Sequence, residues 1–459
     1  MISHDQVALP NHVKVHRGLA LSERKLVLGT GDLIAVGLAF LLAFNAHTAQ
    51  VRHIGIAVPR IALGITLLVW FGAAQLVDAY RLAGTVNLRG TFRAVVGSMA
   101  LSFLGLLVVF FIVPYRITRP TLLLWVPFAS IALVVWRVAY SRLFAREIFA
   151  GSLAVVADNA SFQRVWPDAT GVMQGLYRVV EVVNPEREDC ADVLKELVAE
   201  GRVDQVVLGV RDEVSRDLFR SLLECYDHGV PVRSLSDLYE ELTGRMLLDQ
   251  LGHSWLLGLP MRSQTSRLYA GFKRSLDLVS GVVGLLVLGI VMPFAALATK
   301  LEDRGPLFYR QARMGQYGEQ FEIWKLRTMK AERRATERQT DAADDRITHV
   351  GRVLRKLHLD ELPQGWNIVK GEMSLIGPRP EQPSYVEMLQ KEIDFYNTRL
   401  SVRPGLTGWA QINYGYGAGV EGARAKLSYD LYYIKRQSVT LDLLILFRTA
   451  YAAVMMKSR

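Results

Sequence analysis

Four strongly apolar stretches, Leu26–Phe44, Ile54–Val77, Ala94–Val113 and Thr121–Trp136, punctuate the first third of the chain. They predict helices that cross a bilayer, since about 20 helical residues span about 30 Å of hydrocarbon. Lys14, Arg17, Arg24 and Lys25 precede the first, Arg81, Arg89 and Arg93 lie between the second and third, and Arg137, Arg142 and Arg146 follow the fourth. The other two loops hold only Arg52 with Arg60, and Arg116 with Arg119. Positive flanks stay in the cytoplasm, so the N-terminal tail (1–25) and all that follows the membrane helices (26–137) are expected there.

Beyond residue 150 the pattern changes. Short β-branched runs at Leu153–Ala157, Arg178–Val183, Asp204–Val210 and Val230–Leu235 alternate with helical stretches near Ala191–Glu200 and Ser215–Asp227. That alternation predicts a parallel, Rossmann-like α/β domain over 151–260. A dinucleotide site needs glycines after the first strand, where backbone approaches pyrophosphate. The stretch here reads Ala157-Asp158-Asn159-Ala160-Ser161, so a structural or regulatory domain is expected in place of a nucleotide-dependent enzyme.

After Lys273-Arg274-Ser275-Leu276-Asp277 come 22 uncharged residues, Leu278–Thr299, interrupted by Pro293. Two readings are open at this point. Pro293 either kinks a fifth span or bends a re-entrant hairpin back to its starting face. From Lys300 onward the chain is polar and rich in Gly, Pro and Arg. Near its end Leu443–Met456 is apolar but interrupted by Arg448 and too short to cross, so it packs as core or lies in the interface.

The 459 residues carry 54 basic and 44 acidic side chains, a formal charge of +10, with 51% hydrophobic and 21% charged residues. Disorder, collagen and coiled coil are excluded by that balance. A nucleic-acid binder fits the apolar excess poorly, whereas basic flanks on apolar spans suit anionic lipid. Cys190 and Cys225, the two cysteines, supply neither a disulfide framework nor a thiolate zinc site. The polar first 25 residues lack the short apolar core and small-residue cleavage site of a signal peptide.

Candidate chemistry gathers between residues 300 and 411. Glu302-Asp303-Arg304-Gly305-Pro306, Phe321–Met329, His358–Gln364, Gly377-Pro378-Arg379-Pro380 and Val402–Gln411 fix basic residues among Pro and Gly. Pre-organised arginines offer a planar fork to phosphate oxygens at low entropic cost, which implies an anionic substrate. Asp360 and Glu361 stand beside Arg352, Arg355 and Lys356. Two such carboxylates suit Mg²⁺ while one attacks phosphorus, or they form a solvated pair with nearby arginines. Lys325 reads either as charge compensation or as a residue snorkelling to the interface. Arg352 and Arg355 read either as phosphate ligands or as partners of acids on a helical face. The prolines beside Arg379 and Arg403 favour a bound role over a solvated one. Lys330–Asp345 reads as a charged loop or solvated helix, and Asn413–Gly419 as a flexible aromatic surface loop.

Together these groups, in this order, resemble the bacterial polyisoprenyl-phosphate hexose-1-phosphate transferases that start exopolysaccharide or O-antigen repeat units. The resemblance covers Phe272–Arg459. It implies a catalytic domain over 270–459 with a re-entrant hairpin at 276–299 broken at Pro293, and four upstream spans with a non-catalytic α/β domain. By the same resemblance Asp360 is the nucleophile that takes a phosphosugar from a UDP-hexose and expels UMP. Glu361 is its partner, holding Mg²⁺ or activating undecaprenyl phosphate, and Arg379 binds phosphate. Lys325, Arg352, Arg355 and Arg403 are further phosphate-binding candidates. The implied setting is the bacterial inner membrane with the catalytic domain facing the cytoplasm, no nucleic acid, and a homodimer. Glucose is expected ahead of galactose, with no sugar-selecting residue identifiable. The competing reading is a membrane-anchored sensor whose α/β domain binds a ligand and whose C-terminal part is inactive.

Overall fold

The computed structural model describes residues 21–48, 57–77, 79–80, 88–112, 119–144, 150–158, 162, 176–210, 214–248, 266–302, 305–330, 347–415, 417 and 419–454. Of the segment expected at Lys330–Asp345, residues 331–345 lie outside them, as do 159–161 of the stretch after the first strand. The chain forms two compact units, Met1–Gly252 and His253–Arg459.

The first unit opens with α1 (Leu21–Thr48), α2 (Ala57–Leu76), α3 (Leu88–Ile112) and α4 (Arg119–Phe144), which coincide with the four apolar stretches. Glu23–Ala46, Gly90–Phe111 and Pro120–Leu143 are long and apolar enough to cross a membrane, while the apolar part of α2, Arg60–Leu76, is shorter. Val36, Phe40, Trp70, Leu106, Trp125 and Leu133 form their common core. Leu38, Leu68, Leu104, Phe111 and Ile131 point outward, an apolar exterior that suits hydrocarbon surroundings.

A parallel sheet follows, built from β1 (Gly151–Val156), β2 (Tyr177–Val183), β3 (Gln205–Leu208) and β4 (Val232–Ser234) in the order β2-β1-β3-β4. Helices α5 (Cys190–Ala199), α6 (Arg216–Asp227) and α7 (Leu235–Thr243) connect and follow the strands. Successive residues of β1 face opposite sides. Ala154 and Val156 pack with Leu194, Leu197, Leu218 and Leu222 of α5 and α6. Leu153, Val155 and Ala157 pack with Leu235, Leu238 and Tyr239 of α7. Leu28 of α1 and Tyr140 of α4 join that second cluster, so the sheet and the ends of two membrane helices share a core. Both cysteines are buried and free.

The second unit begins with α8 (Arg267–Glu302), 36 residues long and apolar enough to cross a membrane. Its helical backbone continues through Pro293. A proline removes a single donor, so a long apolar helix stays hydrogen-bonded past it whether it runs straight or bends there. A hairpin, β5 (Phe308–Met314) and β6 (Gln320–Leu326), leads to α9 (His349–Lys356), a 3₁₀ turn at Leu359–Glu361 and α10 (Gln364–Lys370). Then come β7 (Ser374–Ile376), α11 (Pro383–Glu392), a 3₁₀ segment Tyr396–Ser401, β8 (Gly405–Thr407), α12 (Trp409–Asn413), α13 (Gly419–Lys435) and α14 (Val439–Val454).

Polar side chains tie both ends of α8 to this one unit. Near its start Arg274 donates to the carbonyls of Ile368 (2.9 Å) and Val369 (2.7 Å), satisfying the C-terminal end of α10. Asp277 accepts from the Ser374 hydroxyl and the Leu375 amide, each at 2.8 Å. At the far end Glu302 accepts from the His349 amide (2.6 Å) and the Val350 amide (2.9 Å) at the start of α9. Between these ties Leu288 and Ala295 pack with Leu326 and Leu354, while Val279, Leu286, Ile290, Phe294 and Leu297 are exposed.

Candidate active site

The acidic pair sits on the 3₁₀ turn that ends the α9 segment. His358 adopts the left-handed region (φ 54), which stops α9 and starts the new turn. Neighbouring side chains on a tight helical turn diverge, so the two carboxylates meet different surroundings. Glu361 Oε1 accepts from Lys325 Nζ at 2.8 Å and from Arg379 Nη2 at 2.9 Å. Asp360 is buried and pairs with no described residue, although Lys325 and Arg355 are close enough to act on it electrostatically.

Their proton affinities diverge accordingly. Burial pushes Asp360 above the usual carboxylate range, the Glu361 charge adds to that rise, and Lys325 and Arg355 only partly oppose it. Burial also acts upward on Glu361, but Arg379 and Lys325 outweigh it and hold that carboxyl well below its ordinary value. One carboxylate is thus locked as an anion, and its neighbour holds a proton more readily.

Two motifs that read separately along the chain prove to be one object. β7 and β8 pair in parallel, Ser374 opposite Gly405 and Ile376 opposite Thr407. The Gly405 amide donates to the Pro378 carbonyl at 2.8 Å and the Gly377 amide to the Thr407 carbonyl at 2.9 Å. A Cβ on Gly405 would stand 2.1 Å from the Gly377 nitrogen. The glycines therefore let the Gly-Pro-Arg-Pro and Arg-Pro-Gly loops touch, and that contact sets Arg379 against Glu361.

A buried support lies behind Arg379. Arg399 Nη2 donates to the Arg379 carbonyl at 2.9 Å and stands 3.0 Å from Asp430 Oδ2. Burial pushes Asp430 up to about 6 despite the attraction of Arg399. The Arg399 Nη1 donates to the Tyr396 hydroxyl at 2.8 Å.

Of the residues expected at the site, Asp360, Glu361, Lys325 and Arg379 come together in direct contact or adjacency. Arg355 joins them electrostatically and donates from Nε to the Thr328 hydroxyl at 2.8 Å. Arg352 is exposed on α9. Arg403 acts on Asp277 of α8, at the base of the β7–β8 contact. Pro293 lies within α8, remote in sequence from its polar ties. Sequence reasoning missed Arg313, Arg399 and Asp430. Asp430, set among Leu427, Leu431 and Ile434 of α13, was the available signal, whereas Arg399 in the polar stretch Tyr396–Ser401 offered none. Among the described residues no group of three or more His, Cys, Asp or Glu side chains is placed to hold a metal. The Asp360–Glu361 pair suits the sparse mode of Mg²⁺, which takes one or two carboxylates and completes its shell with water and substrate phosphate.

A membrane protein with an α/β layer and a carboxylate pair ringed by cations is the class that fold and site define. Comparison narrows it: residues 268–456 match the family described as bacterial sugar transferase. The chain is similar to the exopolysaccharide production protein ExoY of Sinorhizobium fredii, at 36% identity over 195 residues, 39% of this chain and 83% of that protein. The chain belongs to this family of sugar transferases. It is also similar to the UDP-glucose:undecaprenyl-phosphate glucose-1-phosphate transferase of Klebsiella pneumoniae, at 28% identity over 456 residues, 93% of this chain and 94% of that protein. A third relative is the UDP-N-acetylgalactosamine-undecaprenyl-phosphate N-acetylgalactosaminephosphotransferase of Aeromonas hydrophila. It is 41% identical over 251 residues, 54% of this chain, and the match covers only 58% of that protein's length.

Proposed function

We propose that the protein transfers hexose 1-phosphate from a UDP-hexose to undecaprenyl phosphate through a covalent intermediate on Asp360. The observation that carries this reading is the divergence of the adjacent carboxylates: Glu361 neutralised by two cations, Asp360 buried, raised and without an ion-pair partner among the described residues. An Asp360 oxygen attacks the sugar-bearing phosphorus, the bond from that phosphorus to the bridging oxygen breaks, and its electron pair leaves on UMP. Undecaprenyl phosphate then attacks the same phosphorus, the acyl phosphate bond breaks, and Asp360 returns as a carboxylate. Glu361 fixes Lys325 and Arg379 where phosphate charge develops. Asp360 and the Oε2 of Glu361, which bears no contact among the described residues, would hold Mg²⁺. When bound, that ion would supply charge neutralisation to the diphosphate.

The two-ended attachment of α8 supports a re-entrant placement. A helix that crossed fully would carry either Arg274 or Glu302, with everything bound to it, to the opposite side. The intervening cluster of Lys325, Glu361 and Arg379 would then sit at mid-bilayer, where each charge is expensive. With both ends on the cytoplasmic surface and the apolar outer face in lipid, Asp360 meets a water-borne donor and a lipid-borne acceptor at one edge. The names of the relatives motivate UDP-glucose as first donor, tested beside UDP-galactose and UDP-N-acetylgalactosamine. Purified protein given each donor should release UMP and form a phosphosugar adduct on Asp360 detectable by mass. Full UMP release by Asp360→Asn would refute the assignment.

A further inference from the structure

We propose that Arg313 is a second phosphate-binding arginine, set beyond Arg379 from the acidic pair, which receives the phosphate of the departing nucleoside monophosphate. The inference rests on the transferase reading for its substrate but on separate geometry for its site.

In the β5–β6 hairpin Tyr309 stands opposite Lys325 and Arg313 opposite Phe321. Directly opposed residues share a face of an antiparallel pair, and so do alternate residues of one strand. Arg313 therefore projects from the same face as Lys325, the lysine on Glu361. The end of β5 is fastened to the arginine loop: the Met314 amide donates to the Glu381 carbonyl at 2.9 Å, and Arg313 Nη1 reaches the Pro380 carbonyl at 3.4 Å. Arg313 thus stands next to Arg379, within electrostatic reach of Glu361 and Glu381.

Its bonding is incomplete where that of the two arginines nearest it is not. Arg379 pairs with Glu361 and Arg399 with Asp430. Arg313 pairs with no carboxylate among the described residues; its Nη2 goes to the neutral Gln311 side chain at 2.7 Å, and its Nε is buried with no partner. A half-buried guanidinium beside a like charge, with a donor left over, is unfavourable unless an anion completes it. Lys325, Arg355, Arg379 and Arg313 outnumber Asp360, Glu361 and Glu381, and the excess suits an anionic diphosphate. Arg379, on Glu361, faces the transferred phosphoryl group. Arg313, two same-face positions from Lys325 along the hairpin, meets the phosphate on which the electron pair of the broken bond departs.

The test measures UMP binding to the full-length protein in detergent by calorimetry, without turnover. Arg313→Gln should weaken UMP binding about tenfold or more, with Arg313→Lys in between and the KM for undecaprenyl phosphate unchanged. In the wild-type protein UMP should protect Arg313 from phenylglyoxal, a measurement that requires no variant to fold. UMP affinity indifferent to Arg313→Gln, or no protection of Arg313, overturns the proposal. Protein that binds UMP through Arg313 yet releases none from any UDP-sugar overturns the transferase reading and leaves this site standing.

Discussion

Two enclosed charge clusters in this molecule obey opposite rules. In the first unit Arg137 meets Asp32 with two parallel contacts, Nε to Oδ1 at 3.2 Å and Nη2 to Oδ2 at 2.6 Å, and its Nη1 donates to the Ala79 carbonyl at 3.0 Å. Both side chains are buried, at 2% and 0% exposure. One charge answers one charge and the fork is filled, so the pair is finished and serves to register α4 against α1. In the second unit two cations share one oxygen of Glu361, and among the described residues Asp360 has no ion-pair partner and Arg313 has a donor to spare. A completed pair holds a structure together; an uncompleted one is held by the structure for something that arrives later.

That contrast is open to attack at both clusters. The largest effect belongs to Asp360→Asn, which should lower UMP release by about 10³-fold or more with little loss of stability, since it removes a nucleophile and breaks no ion pair among the described residues. Asp32→Asn should do the reverse. It strands the Arg137 charge and destabilises the first unit by about 3–5 kcal/mol in thermal unfolding, whereas replacing Asp32 and Arg137 together by leucines should restore most of the loss. If the double replacement is no better than the single one, the pair is more than a register device.

A smaller effect sharpens the account of Asp360. Its raised proton affinity places the acid limb of turnover above the ordinary aspartate value of about 3.9, and activity falls as pH drops through that limb because the nucleophile is protonated. Arg355 lowers the affinity, so Arg355→Gln should move the limb to higher pH in a pH–rate profile. An unchanged limb would assign the protonation to another group. Least affected should be Arg352→Gln, an exposed change on α9 expected to alter UMP release less than about twofold and stability within about 0.5 kcal/mol. A larger loss there would extend the site along α9.

The membrane helices were legible because hydrocarbon imposes a length and composition that few other environments do. The parallel α/β layer was legible because strand and helix periods differ. Asp360, Glu361 and Arg379 were legible as residue types in fixed Pro- and Gly-rich settings. What the chain order concealed was that Gly-Pro-Arg-Pro and Arg-Pro-Gly form one contact, that Lys325 and Arg379 share Glu361, and that Arg399, Asp430 and Arg313 stand around them. Those relations depend on strand register and on which side chain lacks a partner, and both arise only when segments distant in sequence are brought together. Pro293 shows the same limit from the other side: a residue that disfavours helix locally stays inside one, because a long apolar helix with both ends tied outweighs a single lost hydrogen bond.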